Sequence, residues 1–486
     1  MRNIIGLLAA LSLLMGACQQ DFIEVLPEST LTVDALYKTD KDFQDAVVGV
    51  YSGFRAPYSR FWQFSDLRSD DVGHYWQGRV DLIRLDNFVM DVNDAVLVNS
   101  WRDYYNIIYA ANTLLANLEK ADAAVIKNKD LYLGEVKFLR ALAYFDLVRI
   151  FGDVPLLTAP ITIADSYKIS RTGAAQIYND LIIPDLLEAG NKLPQTHAGT
   201  ASGRATRGAA KALLGKVYLT RKDFVQAEAT LKEVTGENYA LLPDFNDLFT
   251  YTNEHHSEYI FDIEYIEGGL GLGSNFTSEF MVEFQTAGGP VVAALQNIYG
   301  IKVINSGSAG SPSPDLIAAF APGDLRREIT VAQGVTDKEG VYLPLAPTGV
   351  PSFTKKYMTS LIIQNDSRAN WKVLRYADVL LMLAEALNEN NKTGEALEYL
   401  NQVRERAGVA RYENLSQAET REKIYTERRL ELYLEGHRWF DLVRTGRAQE
   451  VMQDYGMKPH MTVFPIPQSQ IEVVNNPAVF SQNPGY

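Results

Sequence analysis

Two carboxylates, Asp378 and Glu385, stand seven residues apart in a run that reads as helix and so share one face. An acid and a base flanking one bond is what glycoside hydrolysis needs. The residues around the pair are apolar nearly all round, however, which places that helix in a core. Buried carboxylates are normally paired, and Arg375, Arg428, Arg429 and Arg438 are the cations at hand, so the pair reads as structural. Glu427, Arg428, Glu431, Glu435 and Arg438 form a charge-laced helix of the same kind, and His437 reads as a packed helix-terminal residue. His255 and His256 are adjacent, so their side chains diverge on any regular element. The glycine run at 268–273 lacks the Lys-Ser/Thr of a phosphate cradle and reads as a loop. With no H-E-x-x-H, C-x-x-C or G-x-S-x-G, neither a metal nor a cofactor is expected, and the chain is not expected to be an enzyme.

The single cysteine, Cys18, carries a different chemistry. Arg2, the apolar stretch from Ile4 to Leu14 and the small residues before Cys18 have the layout of an export signal. Cys18 then falls where a bacterial lipobox places its acylated cysteine. Residues 1–17 are read as the signal, 18–40 as a lipidated tether, and 41–486 as one domain. A lone free thiol in an oxidising compartment is a liability, which favours lipidation over an ordinary signal peptide.

The 486 residues are 47% hydrophobic and 22% charged, ordinary globular material. A formal charge of −14 disfavours nucleic acid, since nothing would neutralise phosphates. Helices are expected at 40–51, 101–120 (behind Asn99 or Ser100), 129–151, 173–193, 204–220, 223–235, 373–388 and 394–407. A capping box at Ser416 and Glu419 opens a further helix running to about Arg444, with a kink allowed at Gly436. Leu214-Gly215-Lys216-Val217-Tyr218 reproduces the L-G-x-x-Y of a tetratricopeptide first helix, and Ala227 supplies the small residue of the second. Leu387 and Ala396 repeat the same offset, and 101–120 with 129–151 is a weaker third copy. Residues 240–370 are rich in Gly and Pro, with short apolar runs such as Tyr259–Ile263 and a short helix at Pro314–Phe320. So much irregular chain is usually a binding surface. The fold class is therefore mostly α: a tetratricopeptide-like helical-repeat scaffold with large loop-rich insertions and few short strands. The Pro-rich end is expected to be an extended strap.

Five stretches, taken together, resemble the SusD/RagB family of outer-membrane nutrient-binding lipoproteins: FSDLRSDD at 64–71, SPDLIAAFAPGDLRREITV at 313–331, NWKVLRYADVLLMLAEALNE at 370–389, IYTERRLELYLEGHRWFDLVRTG at 424–446, and FPIPQSQIEVVNNP with QNPGY at the end. The resemblance spans the whole chain. It implies four tetratricopeptide-like units, a variable ligand-facing region at about 240–370 and no catalysis. It also implies an outer-membrane lipoprotein facing the cell surface, partnered by a SusC-like TonB-dependent transporter. The ligand it implies is an oligosaccharide or polysaccharide, with an oligopeptide as the alternative within the family and a glycoside hydrolase as the rival outside it.

A pyranose lies its apolar C–H face on an aromatic ring and needs planar polar partners for its hydroxyls. Residues 61–79 offer both without a sustained helical or strand period. Trp76 and Tyr75 are expected as platforms, with Trp62, Asp71, His74 and Arg79 beside them. Tyr299 and Asn297 are expected from the variable region, where Tyr265, Phe276, Phe280, Phe284 and Gln296 are further candidates. Trp101 shares a helical stripe with Tyr105 and Ile108 and reads as core.

Overall fold

Helix α1 (Asp40–Gly53) starts where Thr39 and Asp42 form a reciprocal capping box. The computed structural model describes residues 36–73, 78–284, 289–303, 307–346 and 351–486, so the export signal, Cys18 and most of the tether lie outside the described residues. Helix α2 (Ala95–Lys120) begins six residues before the expected Trp101, behind Asp94, and Ser100 sits inside it with its hydroxyl accepting from Arg60 Nε at 2.9 Å. Helix α3 (Lys129–Phe151) has the expected bounds, is buried on nearly every side, and stops at Gly152 in a positive-φ conformation. Helix α4 (Ile183–Lys192) continues a helical stretch that widens into a π turn at Tyr178–Ile182.

Helices α5 (Arg207–Thr220) and α6 (Phe224–Thr235) form the expected repeat pair. A Cβ at Gly215 would fall 2.5 Å from Leu231 of α6, so the glycine is what lets the two helices touch. After a long interval come α8 (Tyr376–Glu389) and α9 (Thr393–Arg406), the second copy. The array is nevertheless continuous in space. Helix α2 packs on α3, α3 on α4, α4 on α5, α5 on α6, α6 directly on α8, and α8 on α9.

The intervening chain contains α7 (Gly289–Tyr299), strand β1 (Tyr259–Ile263) and the short hairpin β2 (Gly334–Thr336) and β3 (Tyr342–Pro344). Residues 371–375, expected partly as the start of a helix, form strand β4 (Trp371–Arg375) instead. Pairing decides this: β4 runs antiparallel to β1, Asp262 opposite Lys372 and Ile263 opposite Trp371, with bulges at Tyr259–Asp262.

The helix expected to run from Ser416 to Arg444 is two helices. The capping box at Ser416 and Glu419 opens α10 (Gln417–Glu431), and α11 (Arg438–Thr445) follows a break where Leu434 and Gly436 have positive φ. The break exposes carbonyls at the end of α10, and buried donors take them up. Lys356 Nζ donates to Glu431 O at 3.0 Å and Tyr433 O at 2.9 Å, and the Tyr357 hydroxyl donates to Leu434 O at 2.8 Å. The C-terminal strap is less extended than expected, since Gln468–Val474 forms a two-turn helix. Most buried apolar side chains join one core reaching from Phe43 to Phe480, while Met281–Leu361 contributes a separate small core beneath α7 and the hairpin.

Candidate functional site

Asp378 and Glu385 are buried and paired, as expected of core carboxylates. Asp378 accepts from Arg428 Nη1 at 2.8 Å and from Lys216 Nζ at 3.2 Å. Burial opposes its ionisation, but Lys216 and Arg428 hold its carboxyl well below the usual range. Glu385 is gripped by both terminal nitrogens of Arg444 at 2.5 and 2.7 Å, a cation outside the expected set. Neither carboxylate can touch a substrate. Arg375 serves other partners, Glu435 at 2.6 Å, Glu431 at 2.5 Å and Glu258 at 3.0 Å. His437 lies against Lys216 Nζ at 3.1 Å, and burial followed by the Lys216 charge pushes its imidazole down to about 3. His255 and His256 do diverge, the first to the Glu264 carboxylate at 2.6 Å, the second accepting from Glu258 N at 3.2 Å.

Two residues expected at a ligand surface belong to the core. Trp62 is 0% exposed and meets Phe280 edge-to-face at 5.3 Å, leaving no ring face open. Asp71 is also fully buried and accepts from Arg429 Nε at 2.5 Å, while its neighbour Asp70 takes the Arg438 fork at 2.8 and 2.9 Å. These pairs dock residues 70–71 onto α10 and α11, which explains an acidic signature without invoking a ligand. His74, Tyr75 and Trp76 lie outside the described residues. On either side, Gly73 N donates to Ser311 O at 2.8 Å, and Arg79 sits in a cluster of charges.

That cluster is the best-formed polar site near the expected surface. Arg79 is about one-third exposed and bridges two acids, Asp81 at 3.1 Å and Glu279 at 3.2 Å. Burial raises the Glu279 carboxyl despite Arg79, whereas Arg79 holds Asp81 low against a smaller degree of burial. Glu279 is walled by residues 307–309: Ala309 N donates to its carbonyl at 2.8 Å, and a Cβ at Gly307 would lie 2.7 Å from its carboxylate. Asp81 also lines a cleft of about 210 Å³ with Arg60, Gln63, Met90 and Asn99. Planar amides, a guanidinium and carboxylates beside an aliphatic wall suit a ligand rich in hydroxyls. Glu279 was missed in the sequence because it sits 200 residues from Arg79, and Asp81, only two residues away, because it opens a helix just past the aromatic stretch.

Elsewhere in the variable region, Asn297 is exposed at the end of α7, and Tyr299 is half-buried against the small core. Tyr265, Phe276 and Phe280 are core residues, the last two stacked at 5.8 Å. The glycine run does cradle an anion, but an internal one. Gly268 N and Gly269 N donate to the Asp366 carboxylate at 2.9 and 2.8 Å. Among the described residues no cluster of His, Cys, Asp and Glu could hold a metal ion, and no helix is long and apolar enough to cross a membrane.

Two family models match, the SusD family over residues 352–486 and one described as starch-binding associating with outer membrane over residues 21–219. The chain is similar to SusD-like protein P25 of Formosa agariphila, at 28% identity over 96% of both chains. It is similar to the starch-binding protein SusD of Bacteroides thetaiotaomicron at 24% identity over 72% of each. A solved structure described as a laminarin binding SusD-like protein is 29% identical and superposes with a TM-score of 0.78, covering 93% of this chain and 100% of that one. Two models at opposite ends of the chain, relatives aligned across nearly its whole length and a shared helical-repeat fold agree, and the chain belongs to the SusD/RagB family.

Proposed function

We propose that this protein is a surface-facing outer-membrane lipoprotein that captures an oligosaccharide or polysaccharide and passes it to a SusC-like TonB-dependent transporter. The observation that carries the reading is the end-to-end likeness to a laminarin binding SusD-like protein at 29% identity. The family model described as starch-binding associating with outer membrane supports the same ligand class and location. In this reading residues 1–17 direct export, Cys18 carries the acyl chains, and residues 18–40 tether the body. Trp76, Tyr75 and His74 face the ligand together with Arg79, while Asn297 and Tyr299 contribute from α7. Arg79, with Asp81 and Glu279, supplies hydrogen bonds to hydroxyls. No catalytic pair is assigned, because Asp378 and Glu385 are locked in buried ion pairs.

Incubation of the full chain with laminarin, soluble starch and xylan tests this. Saturable binding with no new reducing ends is expected, and Arg79→Ala should weaken it by one to two orders of magnitude, roughly the loss of a charged hydrogen-bond pair. Reducing ends that accumulate with purified protein would overturn capture in favour of hydrolysis. Co-purification of a TonB-dependent barrel from native outer membranes tests the transporter partnership.

A further inference from the structure

The β2–β3 hairpin has one covered face and one open face, and the open one carries an aromatic ring. Val335 and Leu343 point into the small core beneath it. Strand alternation then puts Gly334, Thr336, Tyr342 and Pro344 on the other side, with Gly334 opposite Pro344 and Thr336 opposite Tyr342. A Cβ at Gly334 would lie 2.6 Å from both Cζ and the hydroxyl oxygen of Tyr342, so the ring reaches diagonally across the glycine. Gly334 is buried beneath it, yet Tyr342 itself remains 51% exposed.

The shelf is rigid at both ends. At its tip the Asp337 carboxylate accepts from Glu339 N at 3.1 Å and Val341 N at 2.8 Å, and at its base Leu345 N donates to Gln333 O at 3.0 Å. Arg327 donates to the Gln333 side chain at 2.7 Å, which sets a guanidinium and an amide beside the base. Glu328 lies near enough to both Tyr342 and Tyr299 to raise their hydroxyls, burial being the larger cause in each. The charges that act on the Tyr342 hydroxyl are Glu328 and Arg327, one of each sign. On a chain of net −14 this local balance matches a neutral ligand and disfavours an anionic one.

We propose that Tyr342, whose ring reaches across Gly334, is a platform for the apolar face of a neutral pyranose unit within a glycan chain. The inference rests on the glycan-capture reading and extends it to a second contact outside the Arg79 cluster. A ring that is half exposed can take internal units as well as chain ends, so affinity should rise with chain length. A preorganised ring also loses little entropy on binding.

The test uses the full chain with laminarin and soluble starch as neutral probes and alginate as an anionic one. At least one neutral glycan should bind, Tyr342→Phe should stay within about twofold of wild type, and Tyr342→Ala should bind roughly tenfold more weakly. Hydroxyl-radical footprinting of the unaltered protein should show Tyr342 protected by the bound glycan, a readout that does not depend on how Tyr342→Ala folds. Unchanged affinity in Tyr342→Ala with no protection, while wild type binds, would overturn the platform and leave glycan capture standing. Tighter binding of alginate than of either neutral glycan would overturn the neutral-ligand assignment. Failure of all three probes to bind wild type would overturn platform and capture together.

Discussion

His437 is an imidazole that burial and Lys216 keep neutral down to about pH 3. In the unfolded chain it takes a proton near pH 6.5, so the unfolded state binds more protons throughout the interval between. His437 therefore contributes stability that is present above about pH 6.5 and is lost as the pH falls toward 3. At pH 5 that loss is about 2 kcal/mol. Buried carboxyls such as Asp66 and Glu135, each raised to about 7, act in the opposite sense, so the effect is isolated against a variant. Between pH 7.5 and 5, wild type should lose about 2 kcal/mol more than His437→Gln in urea titrations, and equal losses would contradict the assignment. Lys356 makes a companion case, because it is fully buried and joins Glu435 at 2.6 Å to the broken end of α10. Lys356→Met should destabilise by about 2–4 kcal/mol, because Tyr433 O loses its donor while the buried Glu435 carboxylate and Glu431 O are left to Arg375 alone. Residue types told that charges at 378 and 385 are buried and paired. They could not tell that Arg444 rather than Arg375 holds Glu385, since which cation is within reach depends on how distant helices cross.

At the scale of elements, most helices were legible from period and caps because their signals are local, as with the capping box at Ser416 and Glu419. Residues 373–375 were misread as helix because a short apolar run looks alike in a buried strand and a helix, and only the partner strand β1 settles it. The break before α11 was legible as Gly436 but understated, because its stability comes from Lys356 and Tyr357, far away in sequence. Gly436→Ala should cost about 2–4 kcal/mol, combining positive φ with a Cβ that would sit 2.9 Å from the Phe61 ring. Gly215→Ala tests the repeat contact in the same way. Its Cβ would collide with Leu231, so stability should fall by about 1–3 kcal/mol despite better helix propensity, and a shortened partner, Leu231→Ala, should make the second change nearly harmless. Additive losses in that double-variant cycle would rule out the contact as the cause. The candidate site was half legible: Arg79 stood out, while Glu279 and Tyr342 did not, because no local spacing connects them to it, and Asp81 lay just past the aromatic stretch that drew attention.

For the whole molecule, the acylation reading predicts partitioning. Wild type expressed with its export signal should enter the detergent phase on Triton X-114 separation, and Cys18→Ser should stay in the aqueous phase; identical partitioning would remove the anchor. The direct packing of α6 on α8 predicts a second property. A protease site introduced at Leu270, which is 68% exposed, should yield two fragments that still migrate together in native size exclusion, because the repeat array joins them. Fragments that separate without denaturant would contradict a continuous array. The β1–β4 ribbon carries this further. The chain leaves at residue 264 and returns at residue 370 through paired antiparallel strands, so the two ends of everything between them stand about 5 Å apart. The ribbon is thus a socket, and the hundred-odd residues beyond it are a cartridge. A replacement must meet at strand spacing and also restore what Lys356 and Tyr357 give the end of α10 and what Phe280 gives Trp62. New ligand preferences can therefore arise by exchanging the loops between those contacts while the frame keeps its register.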